Sequence, residues 1–241
     1  MRRLLASTPL LLAALIALPS TAVQAQNHLY TFQNSLNDAY AGPALTDLGG
    51  TLSASGYTFG VNQGLSLSGV FATNSDYSVA IRSRFDQTTG YRKIVDFSNL
   101  AADAGYYNYG TQTNLYPTFY GPAGAYADNT MAFTVLTRNA TSGLFTVYVN
   151  RVFQGSVIDT GGYANFSSGI AHFFVDDYGT GQGEASAGFV DYLAIYDREL
   201  TSGEVGALSP DRNVVPEPAT NALVAVGLAG LFAIMRRRRA A

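Results

Sequence analysis

The 241-residue chain has no cysteine and no tryptophan, only two histidines, and charge on just 13% of its residues. Without cysteine there are no disulfides, thiol nucleophiles or thiolate-ligated metal centres. Without tryptophan a frequent sugar-stacking side chain is missing. The two histidines offer little to a Ser-His-Asp triad: His28 lies near the start of the mature region, His172 sits within an apolar stretch, and no Gly-x-Ser-x-Gly elbow occurs. Glutamate is equally scarce, with only Glu184, Glu199 and Glu204 between residues 26 and 215. Polysaccharide cleavage needs two carboxyls flanking the scissile bond, and no strand of the Glu-x-Asp-x-Glu kind is present. Asp176 and Asp177 are adjacent, so on a strand they would face opposite sides. The expectation is a protein that is not an enzyme.

Charge is unevenly placed. Six of the 14 basic residues are Arg2, Arg3 and Arg236 to Arg239, so residues 26–215 keep eight basic residues against sixteen acidic ones. A net charge near −8 there argues against nucleic acid or an anionic membrane surface as partner.

What is present at the two ends is an address. Met1-Arg2-Arg3, an apolar run from Leu4 to Leu18 and the small-residue site Val23-Gln24-Ala25 read as a secretory signal over 1–25, removed by signal peptidase after Ala25. At the other end, Pro216-Glu217-Pro218 is followed by an uncharged stretch, 219–235, and by Arg236, Arg237, Arg238 and Arg239. As a helix that stretch would be about 25 Å long at ~1.5 Å per residue, just enough for transient insertion across the inner membrane. The arginines would stay cytoplasmic, leaving the bulk of the chain outside.

The order of tripeptide, apolar segment and arginine run resembles the PEP-CTERM sorting signal. The resemblance implies processing by an exosortase near Pro216–Pro218, loss of the tail, and delivery to the envelope surface or beyond in a Gram-negative bacterium that makes exopolysaccharide. A plain single-pass anchor is the other reading. The chain thus divides into a signal peptide (1–25), one domain (26–210), and a linker with sorting signal (211–241).

The middle reads as all-β. Tyr77 to Phe85 alternates, with Tyr77, Val79, Ile81 and Phe85 on one face and Ser78, Arg82 and Arg84 on the other. Met131–Thr137 and Leu144–Val149 form a hairpin around polar Arg138 to Gly143, and Val152–Ile158 continues it. Ala171–Val175 and Gly188–Tyr196 are later strands; His28–Phe32, Gly64–Leu67, Arg92–Phe97 and Thr118–Tyr120 are shorter ones. Thr201-Ser-Gly-Glu204 is a capping box for one short helix, with Val205 and Leu208 turned to the core. Many short strands and Gly-rich turns point to a two-sheet antiparallel sandwich.

Several phrases together resemble the laminin-G-like, concanavalin A-like jelly-roll family: Tyr77-Ser78-Val79, Tyr91 to Phe97, Asp103-Ala104-Gly105, Tyr148-Val149-Asn150, Phe173 to Asp177, and the closing Val190 to Asp197 with Leu200-Thr201 and Glu204-Val205. The resemblance implies two stacked antiparallel sheets, carbohydrate or protein ligands, and calcium in some members. Asn150-Arg151 departs from the Asn-Gly turn expected there.

Two sets of candidate ligand residues follow. Tyr106, Tyr107, Tyr109 and Tyr116, with Asn114 among them, combine flat amphipathic rings with a planar amide, the chemistry that grips sugars such as an exopolysaccharide; the alternative is that they pack in the sandwich. Asp176 and Asp177 before the loop 178–183, and Asp96 and Asp103 around the loop 97–102, supply oxygens suited to Ca2+; the alternative is that they cap turns. The expected function is an exported, non-catalytic surface or matrix protein that binds carbohydrate, or one whose ligand is a protein, with a divergent polysaccharide hydrolase ranked behind both.

Overall fold

The computed structural model describes residues 27–210 and residue 212. The signal peptide, Pro216–Pro218, the stretch 219–235 and the arginine run lie outside the described residues. In chain order the strands are β1 (His28–Tyr30), β2 (Thr46–Asp47), β3 (Thr51–Ser53), β4 (Gly56–Phe59), β5 (Leu65–Ser68), β6 (Tyr77–Phe85), β7 (Tyr91–Asp96), β8 (Gly105–Tyr109), β9 (Gln112–Tyr116), β10 (Phe119–Tyr120), β11 (Ala132–Arg138), β12 (Leu144–Val149), β13 (Val152–Ile158), β14 (Ile170–Phe173) and β15 (Gly188–Tyr196), followed by the helix α1 (Ser202–Ala207).

The strands build a two-sheet antiparallel sandwich. One sheet runs β13-β12-β11-β6-β15-β4-β3, with β1 also paired to β15; the other runs β10-β9-β8-β7-β14-β5-β2. The long apolar strands β6, β11 and β15 occupy the centre of the first sheet, where backbone groups are paired on both sides and β-branched and aromatic side chains fill the pleat. Their inner faces meet the second sheet in one core that includes Val79, Ile81, Leu136, Phe145, Val147, Tyr106, Leu115, Phe97 and Phe173. Stacked rings join the layers: Phe71 on Phe166 at 3.8 Å and Phe59 on Phe174 at 4.3 Å between centroids.

A second apolar cluster lies on the far side of the first sheet. There Leu200, Val205 and Leu208 cover Ala80, Val135, Tyr192 and Tyr196. This corrects the expectation of a polar outer face along β6. Ser78 is buried and its Oγ both donates to the Arg198 carbonyl and accepts from the Leu200 amide, while Arg82 forms a bidentate pair with Asp191. Arg138 likewise is not part of the hairpin loop. It closes β11, buried, and its guanidinium donates to Ser75 O and Asn74 Oδ1.

The turn between β12 and β13 shows how Asn150-Arg151 replaces Asn-Gly. Both residues take positive φ, 51° and 67°, the pattern of a two-residue hairpin turn. Arg151 then donates from Nε and Nη2 to the Leu208 carbonyl, at 2.9 and 2.7 Å, fastening the turn to the end of α1.

The capping box on α1 is complete. The Glu204 amide donates to Thr201 Oγ1, and the Thr201 amide donates to Glu204 Oε2. Glu204 also takes two bonds from Arg198, and these, with the cap, hold its pKa down to about 2. A depressed carboxyl stabilises the fold above its unfolded value near 4.3 and loses that contribution as pH falls through the folded value. Thr201→Ala is therefore expected to cost about 1 kcal/mol in urea unfolding at pH 7, and less at pH 2 where Glu204 is half protonated. Equal loss at both pH values would assign the effect to packing alone.

Candidate functional site

The second sheet carries polar and aromatic side chains on its outer face, and strand register decides which. Along β8 and β9, Tyr106 pairs with Leu115 and both enter the core, whereas Tyr107 pairs with Asn114, Gly105 with Tyr116, and Tyr109 with Gln112. Tyr120 on β10 pairs with Asn114, and Tyr91 on β7 with Tyr109. Alternation places Tyr91, Tyr107, Tyr109, Asn114, Tyr116 and Tyr120 together on the outside. Their rings form a continuous strip: Tyr91 to Tyr109 at 4.3 Å, Tyr91 to Tyr107 at 5.5 Å, Tyr91 to Tyr116 at 5.8 Å, and Tyr109 to Tyr120 at 5.8 Å. The Tyr91 and Tyr120 hydroxyls share a 2.8 Å hydrogen bond.

Tyr109 and Tyr120 are the most open, 37% and 47% exposed, while Tyr91 and Tyr116 are half-buried. Tyr107 and Asn114 are buried beneath them. The Asn114 amide nitrogen donates to the Phe119 carbonyl, and its oxygen accepts no hydrogen bond. Tyr106 has to be removed from the candidate set. The period of two turns it inward, where its hydroxyl meets the Tyr126 hydroxyl at 2.7 Å and its ring lies near Phe145.

Beside the strip, four aspartates gather around one lysine. A register shift in β7 between Lys93 and Val95 brings Lys93 and Asp96 to the same outer face. Lys93 Nζ donates to Asp177 Oδ2 at 2.6 Å and to Asp96 Oδ2 at 3.3 Å, and lies 3.4 Å from Asp176 Oδ1. All four side chains are fully buried. Asp103 joins through Tyr107, whose hydroxyl donates to it at 3.0 Å and whose ring lies 5.0 Å from the ammonium.

The two loops therefore do not form separate oxygen cages; they share one ammonium. The expectation that Asp176 and Asp177 would face opposite sides of a strand also fails. β14 ends at Phe173, and Phe174 has φ 66°, so the chain leaves the sheet and both carboxylates turn to Lys93. The remaining oxygens cap their own turns. Asp96 Oδ1 accepts from Ser98 N and Leu100 N, Asp177 Oδ1 from Gly179 N and Thr180 N, and Asp176 Oδ2 from Thr180 Oγ1 and Glu184 N. Among the described residues no group of three or more His, Asp or Glu is arranged to hold a metal ion.

The ionisation of the cluster follows its geometry. Burial alone would lower the Lys93 pKa, but Asp177, Asp96 and Asp176 outweigh it and the net direction is upward. Burial raises Asp96, and its amide and Lys93 partners only partly offset that. Asp177 is also pushed up by burial, yet the hydrogen bond from Lys93 takes it below the ordinary value. Glu184, half-buried on the loop over β7, is lifted to about 7 by burial and then by Asp103 and Asp176. His172, paired in register with Asp96, holds Asn99 Oδ1 at 2.9 Å and is lowered chiefly by burial.

Sequence reading missed Lys93 and Tyr91 as members of this face. Tyr91 and Lys93 stand two apart at the start of β7, which begins one residue earlier than the predicted strand Arg92–Phe97. The meeting of Lys93 with Asp177 across 84 residues has no local signal in the sequence.

Comparison with known proteins places two parts of the chain. Residues 214–239 match the PEP-CTERM protein-sorting motif. The chain therefore carries a signal for export and for exosortase processing to the cell envelope or surface. No curated protein sequence matches the chain. Solved structures similar to the sandwich include domain 4 of an extracellular GH43 arabinanase from Geobacillus stearothermophilus, in complex with arabinotriose, at 17% identity and TM-score 0.57, covering 76% of this chain and 97% of that one. A Trypanosoma rangeli sialidase in complex with 2,3-difluorosialic acid, at 17% identity and TM-score 0.57, is covered over 30% of its length by 76% of this chain. The binding domain of botulinum neurotoxin serotype D, at 11% identity and TM-score 0.51, is covered over 50% by 76% of this chain. At such identities the likeness shows the fold: an all-β, jelly-roll-like sandwich.

Proposed function

We propose that this exported, tail-processed protein is a non-catalytic carbohydrate-binding module, laminin-G-like in kind, that holds a polysaccharide at the bacterial surface. The observation that carries the reading is the tyrosine strip on the outer face of β7 to β10. Partly exposed rings at 4.3 to 5.8 Å spacing, some tilted and some edge-on to one another, offer an amphipathic surface against which the apolar face of a sugar can pack. The arabinanase domain solved in complex with arabinotriose is consistent with sugar recognition on this fold. The non-catalytic part rests on Lys93. Asp96 and Asp177 are buried and hydrogen-bonded to its ammonium, and Asp176 is buried 3.4 Å from it, so none of them reaches the surface to flank a glycosidic bond.

The test is affinity electrophoresis of the purified protein through gels containing exopolysaccharide and plant polysaccharides. Tyr109→Ala and Tyr120→Ala are each expected to weaken retardation five- to tenfold, roughly 1 kcal/mol or more, while the protein stays folded at the assay temperature, which thermal unfolding of each variant checks. Unaltered binding in the double variant would remove the strip from the site. Reducing sugar released from a retarding polymer would overturn the non-catalytic part.

A second reading has its own observation. β13 is an edge strand with Val152, Phe153 and Ile158 each more than half exposed and no charged residue along it. Such an edge suits a protein ligand, and it gains weight if no polysaccharide retards the protein.

A further inference from the structure

The electrostatics of the outer face bear on the kind of glycan it would take, an inference that rests on the carbohydrate reading above. Strands β8, β9 and β10, which supply most of the strip, contain no charged residue at all. No cation on them can meet a carboxylate or sulfate of a ligand. Two bases are near. Lys93 is fully buried and ringed by Asp96, Asp176 and Asp177, and Arg92 turns its Nη1 to the Tyr91 carbonyl at 2.9 Å. Against them stand five carboxyls, those of Asp96, Asp103, Asp176, Asp177 and Glu184, all on the side of the strip where Tyr107 touches both Asp103 and the lysine. Glu184 is raised to about 7 first by burial, with Asp103 and Asp176 adding to the shift.

We infer that the tyrosine strip selects neutral polysaccharides, and that the carboxylate border at Asp103 and Glu184 repels uronate-bearing, sulfated or sialylated chains. The tyrosine rings supply affinity that ignores charge, and the border supplies the repulsive element on which specificity depends.

The experiment compares a neutral arabinan and a neutral β-glucan with polygalacturonate and alginate, using the purified protein at pH 8 in 10 mM and 500 mM salt. Neutral polymers are expected to bind with affinity independent of salt. Uronates are expected to bind at least tenfold more weakly at low salt, the gap narrowing as the Debye length contracts from about 30 Å to a few ångströms. Asp103→Asn and Glu184→Gln are expected to raise uronate binding severalfold and to leave neutral binding unchanged. Uronate binding equal to or tighter than neutral binding at low salt would overturn this inference while leaving carbohydrate recognition intact. Retardation by none of the four polymers, in either salt, would count against both.

Discussion

Lys93→Met is expected to destabilise the sandwich by about 3–5 kcal/mol, the usual consequence of leaving buried carboxylates without their counter-charge. At this chain length that corresponds to a fall in melting temperature on the order of 10 °C. Methionine keeps the unbranched stem of the side chain, so the loss reports the ammonium. Its removal strands Asp96, Asp176 and Asp177, all fully buried. The added Asp177→Asn change is expected to recover part of the loss, because one of the unpaired charges disappears with it, and the coupling in a double-mutant cycle measures the 2.6 Å contact.

The pH dependence has a definite sign. Lys93 is raised in the fold, so its contribution is complete below its unfolded value near 10.4 and is lost only as pH climbs through the folded value. Asp177 is lowered, so its contribution is complete above about 3.9 and is lost on acidification through the folded value. Asp96 is raised by burial and works the other way, favouring the fold when it is protonated. The stability lost in Lys93→Met is accordingly largest between about pH 5 and 9. A loss below 1 kcal/mol at pH 7 would mean that water reaches the cluster.

Much of this architecture is legible in the chain because its longest strands have apolar inner faces. Tyr77–Phe85, Leu144–Val149, Val152–Ile158 and Gly188–Tyr196 run between the residues that their alternation and turn chemistry indicate. The capping box at Thr201 and Glu204 is equally legible, since a local hydrogen-bond pattern needs only local sequence. The hairpin β8–β9 is hidden for a physical reason. Both of its faces are lined by tyrosine, asparagine and threonine, so no polar-apolar alternation marks a strand or tells Tyr106 from Tyr107. Gly56–Phe59 and its short partner Thr51–Ser53 are hidden as well, because strand length there is set by pairing with β15 rather than by any hydrophobic run. The lysine at the centre of the aspartates is the deepest case. Lysine is seldom fully buried, and nothing near Lys93 in sequence announces Asp176 and Asp177. The oxygen-rich loops were readable as cation sites; that the cation is a side chain of the protein itself emerges only when the loops close over β7.

Replacing Pro216, Glu217 and Pro218 together by alanine is expected to abolish processing of the tail almost completely. The matched motif begins at residue 214, and only Asn213 separates it from Arg212. Arg212 itself is fastened to the sandwich: its guanidinium donates to the carbonyls of Thr31, Ala54 and Ser55, at 3.2, 2.6 and 2.7 Å. In sequence, the matched motif therefore starts two residues after the fastened Arg212. In the variant, intact-mass measurement is expected to show the tail retained, and fractionation to show the protein held with the membrane instead of at the surface or in the medium. The Lys93 cluster and the tyrosine strip are untouched by these changes, so carbohydrate binding by detergent-solubilised variant is expected to equal that of the processed protein. Unchanged release would mean that the arginine run and apolar stretch are read without the tripeptide. Retention together with lost binding would mean instead that tail removal uncovers the binding face.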